Sequence, residues 1–309
     1  MEEVVVVEKK TDTYLGIELA RIYSAIMIVW FHGGGSYPSF SLSGLVIFLL
    51  LVPFMTFNSL KRRSKNNVIK SRIKRLLFPW FFWSLIFICL KVSSSFLVGD
   101  SFFSRLFPYM LFTGGSIHLW FLMFSFCVVL ICVIISSFGM GEISFSIILA
   151  LLFPVLYFCL LAHDSGKYST PFSQILFSIP SFFIAFVLYW LYESICIFWF
   201  LIVTLVFILF LVVWSYFIQS TMLEAYIIGS IVFILSILYK RKASELLVLC
   251  GGAMYGVYIL HPAFYSYIKY VWGSLGETES FSFPVFFLVL MLSFFTTILV
   301  KKTKLKQFL

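Results

Sequence analysis

Ten apolar runs divide this chain, at about residues 19–37, 39–57, 77–98, 118–138, 143–162, 174–192, 195–218, 221–239, 246–268 and 281–300. Each is close to the roughly 20 residues an α-helix needs to cross the hydrocarbon of a bilayer. Lipid offers no partner to backbone N–H and C=O groups, so such a run must satisfy them internally, as a helix. Charged residues make up 11% of the chain and hydrophobic ones 62%, with mean hydropathy +1.07. A soluble domain carries about 25% charged residues, so no ordinary core absorbs this much apolar surface. The chain is expected to be all-α, a polytopic integral membrane protein of about ten transmembrane helices. The faintest boundary, between the sixth and seventh runs, is marked only by Glu193 and Ser194.

Charge placement tests that count. Ten spans with both termini cytoplasmic put the loops 58–76, 139–142, 193–194 and 240–245 on the inner side. They put Lys9, Lys10, Arg21, the run KRRSKNNVIKSRIKR at 61–75, KRK at 240–242 and KKTKLK at 301–306 there too, which is 18 of the 22 Lys and Arg. Lys91, Arg105, Lys167 and Lys269 fall toward the outside. An excess of this kind sets orientation, and dropping one span would move either the 61–75 run or the tail outward. The net charge of +9 therefore calls for no nucleic acid. The basic cluster also suits anionic lipid headgroups or the phosphates of a cytosolic ligand.

The expected organisation is a cytoplasmic segment at 1–18, one membrane domain at 19–300 and a basic cytoplasmic tail at 301–309. MEEVVVVEKKTDTY at the start is acidic first, has only four valines in a row and lacks a cleavage signal, so the first span is expected to be retained. No internal repeat is evident. The six cysteines all sit in apolar runs without a CxxC. They read as small core hydrophobes, with neither a disulfide framework nor a zinc site.

The residues that do not belong in lipid carry the functional information. Arg21 and His32 lie in one run, RIYSAIMIVWFH. Eleven residues of helix rise about 16 Å and return to within about 20° of the same face. Arg21 then sits near the inner boundary, with Glu18 as an i,i+3 partner, and His32 toward the outer half. His118 and His261 stand at the outer ends of the fourth and ninth runs, whereas His163 reads as a solvated loop residue in HDSGK. Three histidines at one membrane level are able to line one polar cavity. Zinc is an alternative for three imidazoles, but there is no HxH or HxxxH pair and the nearest outer acids are Asp100 and Asp164; no metal is expected. HGGG at 32–35 looks like an oxyanion-hole run, yet no GxSxG elbow accompanies it. Its glycines read as helix termination and a tight turn, with room for a substrate beside His32. Ser41 and Ser43 open the second run, and Gly44 beside them permits close helix contact. Pro53 and Pro154 are able to kink their spans. Trp80, Trp83 and Trp120 read as interfacial anchors, and Glu193 and Glu224 as span-end residues.

Five stretches together resemble the integral-membrane acyltransferase 3 family of bacterial envelope-glycan O-acetyltransferases. They are IELARIYSAIMIVWFH at 17–32, SLSGLVIF at 41–48, SRIKRLLFPWFFW at 71–83, HLWFL at 118–122 and YGVYILHPAF at 255–264. The first resembles the family's acid, arginine, ten residues, histidine signature. The chain departs mildly, with fewer aromatics before Ser41 and Gly-Leu where Gly-Phe is commoner after Ser43. The esterase-like domain that some relatives carry is not expected in this chain.

The resemblance implies transfer of an acyl group, usually acetyl from cytosolic acetyl-CoA, to a hydroxyl of a surface polysaccharide or lipid-linked glycan, at the cytoplasmic membrane of a bacterium. By family analogy Arg21 and His32 are the essential pair. His32 is the candidate general base, since an imidazole suits proton acceptance near neutrality. His118, His261 and Ser43 are candidates to contact the acceptor or the developing charge. Arg72, Lys74 and Arg75 are candidates to bind the CoA phosphates. Acetyl-CoA is expected as a substrate, with no permanently bound cofactor; the partners expected are the glycan acceptor and membrane lipids. The competing class is a transporter or flippase, which also uses broken spans, but usually with internal repeats.

Overall fold

The computed structural model describes residues 14–98, 110–138, 142–273 and 283–308. The expectations for segment 1–13 with Lys9 and Lys10, for Asp100 and Arg105, and for the loop at 139–141 lie outside those residues. Its helices are α1 (Leu15–His32), α2 (Pro38–Arg62), α3 (Lys65–Arg72), α4 (Phe78–Val98), α5 (Met110–Thr113), α6 (Trp120–Phe138), α7 (Glu142–Asp164), α8 (Phe172–Ser194), α9 (Ile197–Ile218), α10 (Thr221–Leu238), α11 (Glu245–Gly273) and α12 (Phe283–Lys301). Among the described residues there is no strand, only an isolated bridge between Tyr14 and Lys242. Among the described residues ten stretches are long and apolar enough to cross a membrane, matching the ten apolar runs one for one. The protein is thus a multi-pass, all-α membrane protein.

The helices alternate in direction, and backbone and side-chain bonds tie their ends together. At the basic end Leu15 N–H donates to the Arg241 carbonyl at 2.7 Å, Lys61 pairs with Glu193, and Lys65 reaches Ser137 at 3.0 Å. At the other end Ser39 donates to Glu224 at 2.5 Å. The two glutamates read as span-end residues are therefore cross-links between helices. These ties, with the cavity that Lys301 shares with Arg21, Arg72, Lys74 and Arg75, put the 61–75 run, the 193–194 turn, residues 240–242 and the end of α12 at one end of the bundle. We call this the basic end, and the opposite one the histidine end.

Helix α2 is the central element. It packs against α1, α6, α8 and α10, and Val46, Ile47, Leu50 and Phe57 are almost wholly buried on it. Close approach requires Gly44: a Cβ there would stand 2.6 Å from Met27 Cβ and 2.7 Å from the Ser24 carbonyl oxygen. Lipid tails are as apolar as leucine, so burial against lipid drives nothing, and small residues that let backbones touch hold the bundle together instead. Helix α9 shows the converse. Its side chains are apolar all round and mostly exposed, as lipid contact demands.

Three local expectations change. The basic run is helical through most of its length, as α3 followed by a π-helical turn at Ile73–Leu77. Trp120 is buried, at 5% exposure, because it begins α6 inside the bundle rather than at its rim. All six cysteines are free, but Cys89, Cys127 and Cys196 face outward, and only Cys132 and Cys159 are buried. An apolar run in a membrane protein has a lipid face as well as a core face, so a cysteine within it need not be core.

Candidate active site

The first helix sets the site. Arg21 and His32 project from α1 along nearly one line, as their spacing requires, and open into two different cavities. The larger, about 520 Å³, lies at the basic end; Arg21, Arg72, Lys74, Arg75, Lys301 and Tyr258 are among its lining residues. The smaller, about 290 Å³, lies at the histidine end, with His32, Ser41, His118, His163, Gln174 and Tyr258 in its wall. Tyr258 is common to both. A third cavity of about 420 Å³, between α7, α8 and α9, is lined by apolar side chains with Thr204 as its single polar one. The Thr204 hydroxyl is spent on the Phe200 carbonyl at 2.8 Å, so that cavity offers no group for chemistry.

The basic cavity is built from three segments. The π-helical turn inserts an extra residue per turn and carries Lys74 and Arg75; such turns recur at functional sites. Tyr255 of α11 donates to the Arg75 carbonyl at 2.8 Å and so ties the turn to the wall. Beyond α12, a short turn at Lys304–Phe308 folds back on α4, where Trp83 donates to the Phe308 carbonyl at 2.8 Å and Phe82 stacks on Phe308 at 4.1 Å. The tail thereby brings Gln307 to the cavity wall. Trp83, read as an interfacial anchor, is a tether for it.

Glu18 and Arg21 form the expected i,i+3 pair, at 2.8 Å. Glu18 is 1% exposed, and its second oxygen, Oε2, is buried with no hydrogen-bond partner. That oxygen lies against Gly251 of α11, where a Cβ would stand only 1.9 Å from it. Arg21 keeps 36% of its side chain exposed, so its guanidinium is anchored from behind and presented to the cavity. Lys301 donates to the Gly252 carbonyl beside it. Five cations thus face one cavity, which suits an anionic ligand with several charged oxygens.

The histidines do converge. The ring centroids of His32 and His261 are 5.0 Å apart, and those of His118 and His261 6.0 Å. Their hydrogen bonds separate their roles. His118 is 3% exposed; its Nε2 faces the Ile259 carbonyl at 3.2 Å and its Nδ1 the Ser116 hydroxyl at 2.8 Å. A carbonyl only accepts, so Nε2 carries the proton and Nδ1 accepts from Ser116. Both nitrogens are committed. His261 is fully buried. Its Nδ1 donates to the Val257 carbonyl at 3.2 Å, which leaves Nε2 as a bare acceptor, buried and unpartnered. His32 is exposed into the cavity and makes no hydrogen bond among the described residues, so it alone of the three has an open ring.

Of the other expected residues, Arg72, Lys74 and Arg75 line the basic cavity. Ser43 does not reach the histidine cavity. It is fully buried, donates to the Phe40 carbonyl at 2.6 Å and takes a bond from the Tyr23 hydroxyl at 2.9 Å. Ser41, one step back, is the cavity residue. His163 corrects the reading of it as a solvated loop residue. It ends α7 in the cavity wall, with Nδ1 on Asp164 at 3.0 Å. Gln174, Lys301 and Tyr258 were not anticipated. Tyr258 alone had a signal, standing three residues before His261 and hence on the same helix face. HGGG acts as a stop: Gly34 takes φ +77°, and Gly35 lies against the Trp30 indole. Among the described residues no group of three or more His, Cys, Asp or Glu is disposed to hold a metal ion.

The family model described as an acyltransferase domain matches residues 14–301. No curated protein matches, and no solved structure does. The match spans α1 to α12 and the lining of both cavities apart from Gln307, and this chain belongs to the acyltransferase 3 family.

Proposed function

We propose that the protein is a membrane O-acetyltransferase. It takes acetyl from cytosolic acetyl-CoA and transfers it to a hydroxyl of a surface polysaccharide or lipid-linked glycan precursor, at the cytoplasmic membrane of a bacterium. The observation that carries this reading is the pair of cavities opened by one helix. Five cations line one, His32, His118 and His163 line the other with His261 packed behind His32, and Tyr258 stands between them. The basic end faces the cytosol by the excess of Lys and Arg there. A nucleotide bearing several phosphate charges stays in the basic cavity, because its transfer into hydrocarbon is prohibitive. Its pantetheine arm is thin and weakly polar, and roughly 15–20 Å of it matches the ~16 Å rise from Arg21 to His32.

The chemistry then falls to His32. The acceptor oxygen attacks the thioester carbonyl, forming the C–O bond while its proton passes to a ring nitrogen of His32. The C–S bond breaks, and the proton moves from His32 to the departing thiolate, giving the ester and free CoA thiol. His118, with both nitrogens engaged, is not free to take that proton. His261 packs beside His32 at 5.0 Å between ring centroids, with its Nε2 buried and without a hydrogen-bond partner. A second base has its own support, since His163 lines the same cavity and is held by Asp164. Membership of an acyltransferase family leaves the carrier alternative without support.

The test is NMR of O-acetyl groups on extracted envelope glycans, from cells lacking the gene and cells restored with the intact protein. Acetyl signal lost and then restored names the acceptor. An unchanged envelope refutes the proposed acceptor class.

A further inference from the structure

Among the described residues Tyr258 alone lines both cavities, and its surroundings give that position a function. The ring is 4% exposed. It lies 5.4 Å from Phe121 and 6.5 Å from Phe48, which are themselves 6.1 Å apart; both phenylalanines line the basic cavity. On its other side it meets His118 and His261, each at 6.1 Å. Its hydroxyl donates to the His118 carbonyl, so the ring is tethered to the start of α6. Three aromatic rings therefore form an apolar wall where the thioester must pass to reach His32, and the wall is fastened to the backbone of a histidine in the acceptor cavity.

We infer that Tyr258 is the positioning residue that partitions the donor and acceptor cavities. Its ring lets the narrow acyl-bearing arm through and fills the space beside the thioester that water would otherwise occupy. This rests on the acyltransferase reading above. Such a wall has a chemical purpose. His32 would deprotonate water as readily as a sugar hydroxyl, and water attacking the same carbonyl forms the C–O bond of acetate, breaks the C–S bond and returns the proton to the thiolate. The donor would be spent with nothing acylated. Removing the ring merges the cavities and leaves space for more than one water, each of which needs only about 10–15 Å³.

The experiment uses the full-length protein in lipid nanodiscs with acetyl-CoA alone, reading free thiol released over time. A sample without acetyl-CoA subtracts the protein's own free cysteines. Tyr258→Ala is expected to raise this acceptor-free release at least tenfold over the intact protein. Tyr258→Phe, which keeps the ring and loses only the tether, is expected to raise it two- to fivefold. Phe121→Leu thins the same wall from the opposite side with a smaller change in volume, and is expected to raise it several-fold; it decides the matter if Tyr258→Ala fails to fold. Unchanged release in a folded Tyr258→Ala, or in Phe121→Leu, overturns the partition. So does a folded Tyr258→Ala that loses release and transfer together, which would make Tyr258 part of substrate binding. If the intact protein releases no thiol even with envelope glycan added, it is the acyltransferase reading that fails.

Discussion

Replacing Arg21 with methionine separates two roles that one side chain carries. In the structure Arg21 faces the basic cavity and also neutralises Glu18, which is 1% exposed and has one oxygen already without a partner. Breaking a fully buried ion pair by removing one member costs about 3–5 kcal/mol. Arg21 is 36% exposed, so cavity water partly rehydrates the stranded carboxylate, and an exposed pair is worth only about 0–1 kcal/mol. The expected loss lies between these limits, about 1–3 kcal/mol. Donor binding should weaken as well. One charge-assisted contact to phosphate is worth about 1.5–3 kcal/mol, and the exposure of Arg21 places the effect near the lower bound, roughly a tenfold rise in KM for acetyl-CoA. The double variant Glu18→Gln/Arg21→Met removes the stranded charge without restoring the cation. It should recover at least half of the lost thermal stability, read as the fraction of protein surviving heating in nanodiscs, while KM for acetyl-CoA stays raised. A double variant as unstable as Arg21→Met would refute the stranded-carboxylate argument. A double variant with normal KM would refute the role of Arg21 at the donor.

Gly251→Ala drives a Cβ against Glu18 Oε2, 1.9 Å away before relaxation; a loss of about 1–3 kcal/mol follows from overpacking, with a lower thermal midpoint as the measurement. Ser116→Ala leaves His118 Nδ1 without its donor and should cost about 1 kcal/mol, yet reduce turnover less than tenfold, because the proposed base is His32. Lys61→Ala removes an exposed pair with Glu193 and should change stability by less than about 1 kcal/mol, with turnover unaltered in the same assay.

Much of this architecture is written in the sequence, for physical reasons that also mark where it stops. Lipid enforces helices of a set length, so hydropathy alone marks ten spans. Helical periodicity puts Arg21 and His32 on one line, and i,i+3 spacing pairs Arg21 with Glu18. These are one-dimensional facts. Convergence of His32, His118 and His261 depends on how α1, α11 and the turn at 117–119 before α6 pack, and no spacing encodes it. The distinction among the three histidines depends on where the carbonyls of Val257 and Ile259 fall, which is finer still. His163 looks like a loop residue because HDSGK is polar, but α7 runs through it to Asp164. Lys301 resembles the other basic residues at span ends and joins the basic cavity because α12 packs on α11, where its ammonium donates to the Gly252 carbonyl. Ser43 and Ser41 differ by about 200° around a helix, and only packing says which of them meets the cavity.

The most direct test of the central claim is thiol release from acetyl-CoA by the intact protein in nanodiscs, with the glycan fraction of the envelope as acceptor, compared with His32→Ala, His163→Ala and His118→Ala at matched protein amounts. The account predicts acceptor-dependent release by the intact protein, a fall of at least about a hundredfold in His32→Ala, in keeping with loss of a general base, and substantial activity in the other two. Full acceptor-dependent release by His32→Ala, with activity abolished in His163→Ala, would contradict it and move the base to the His163–Asp164 pair.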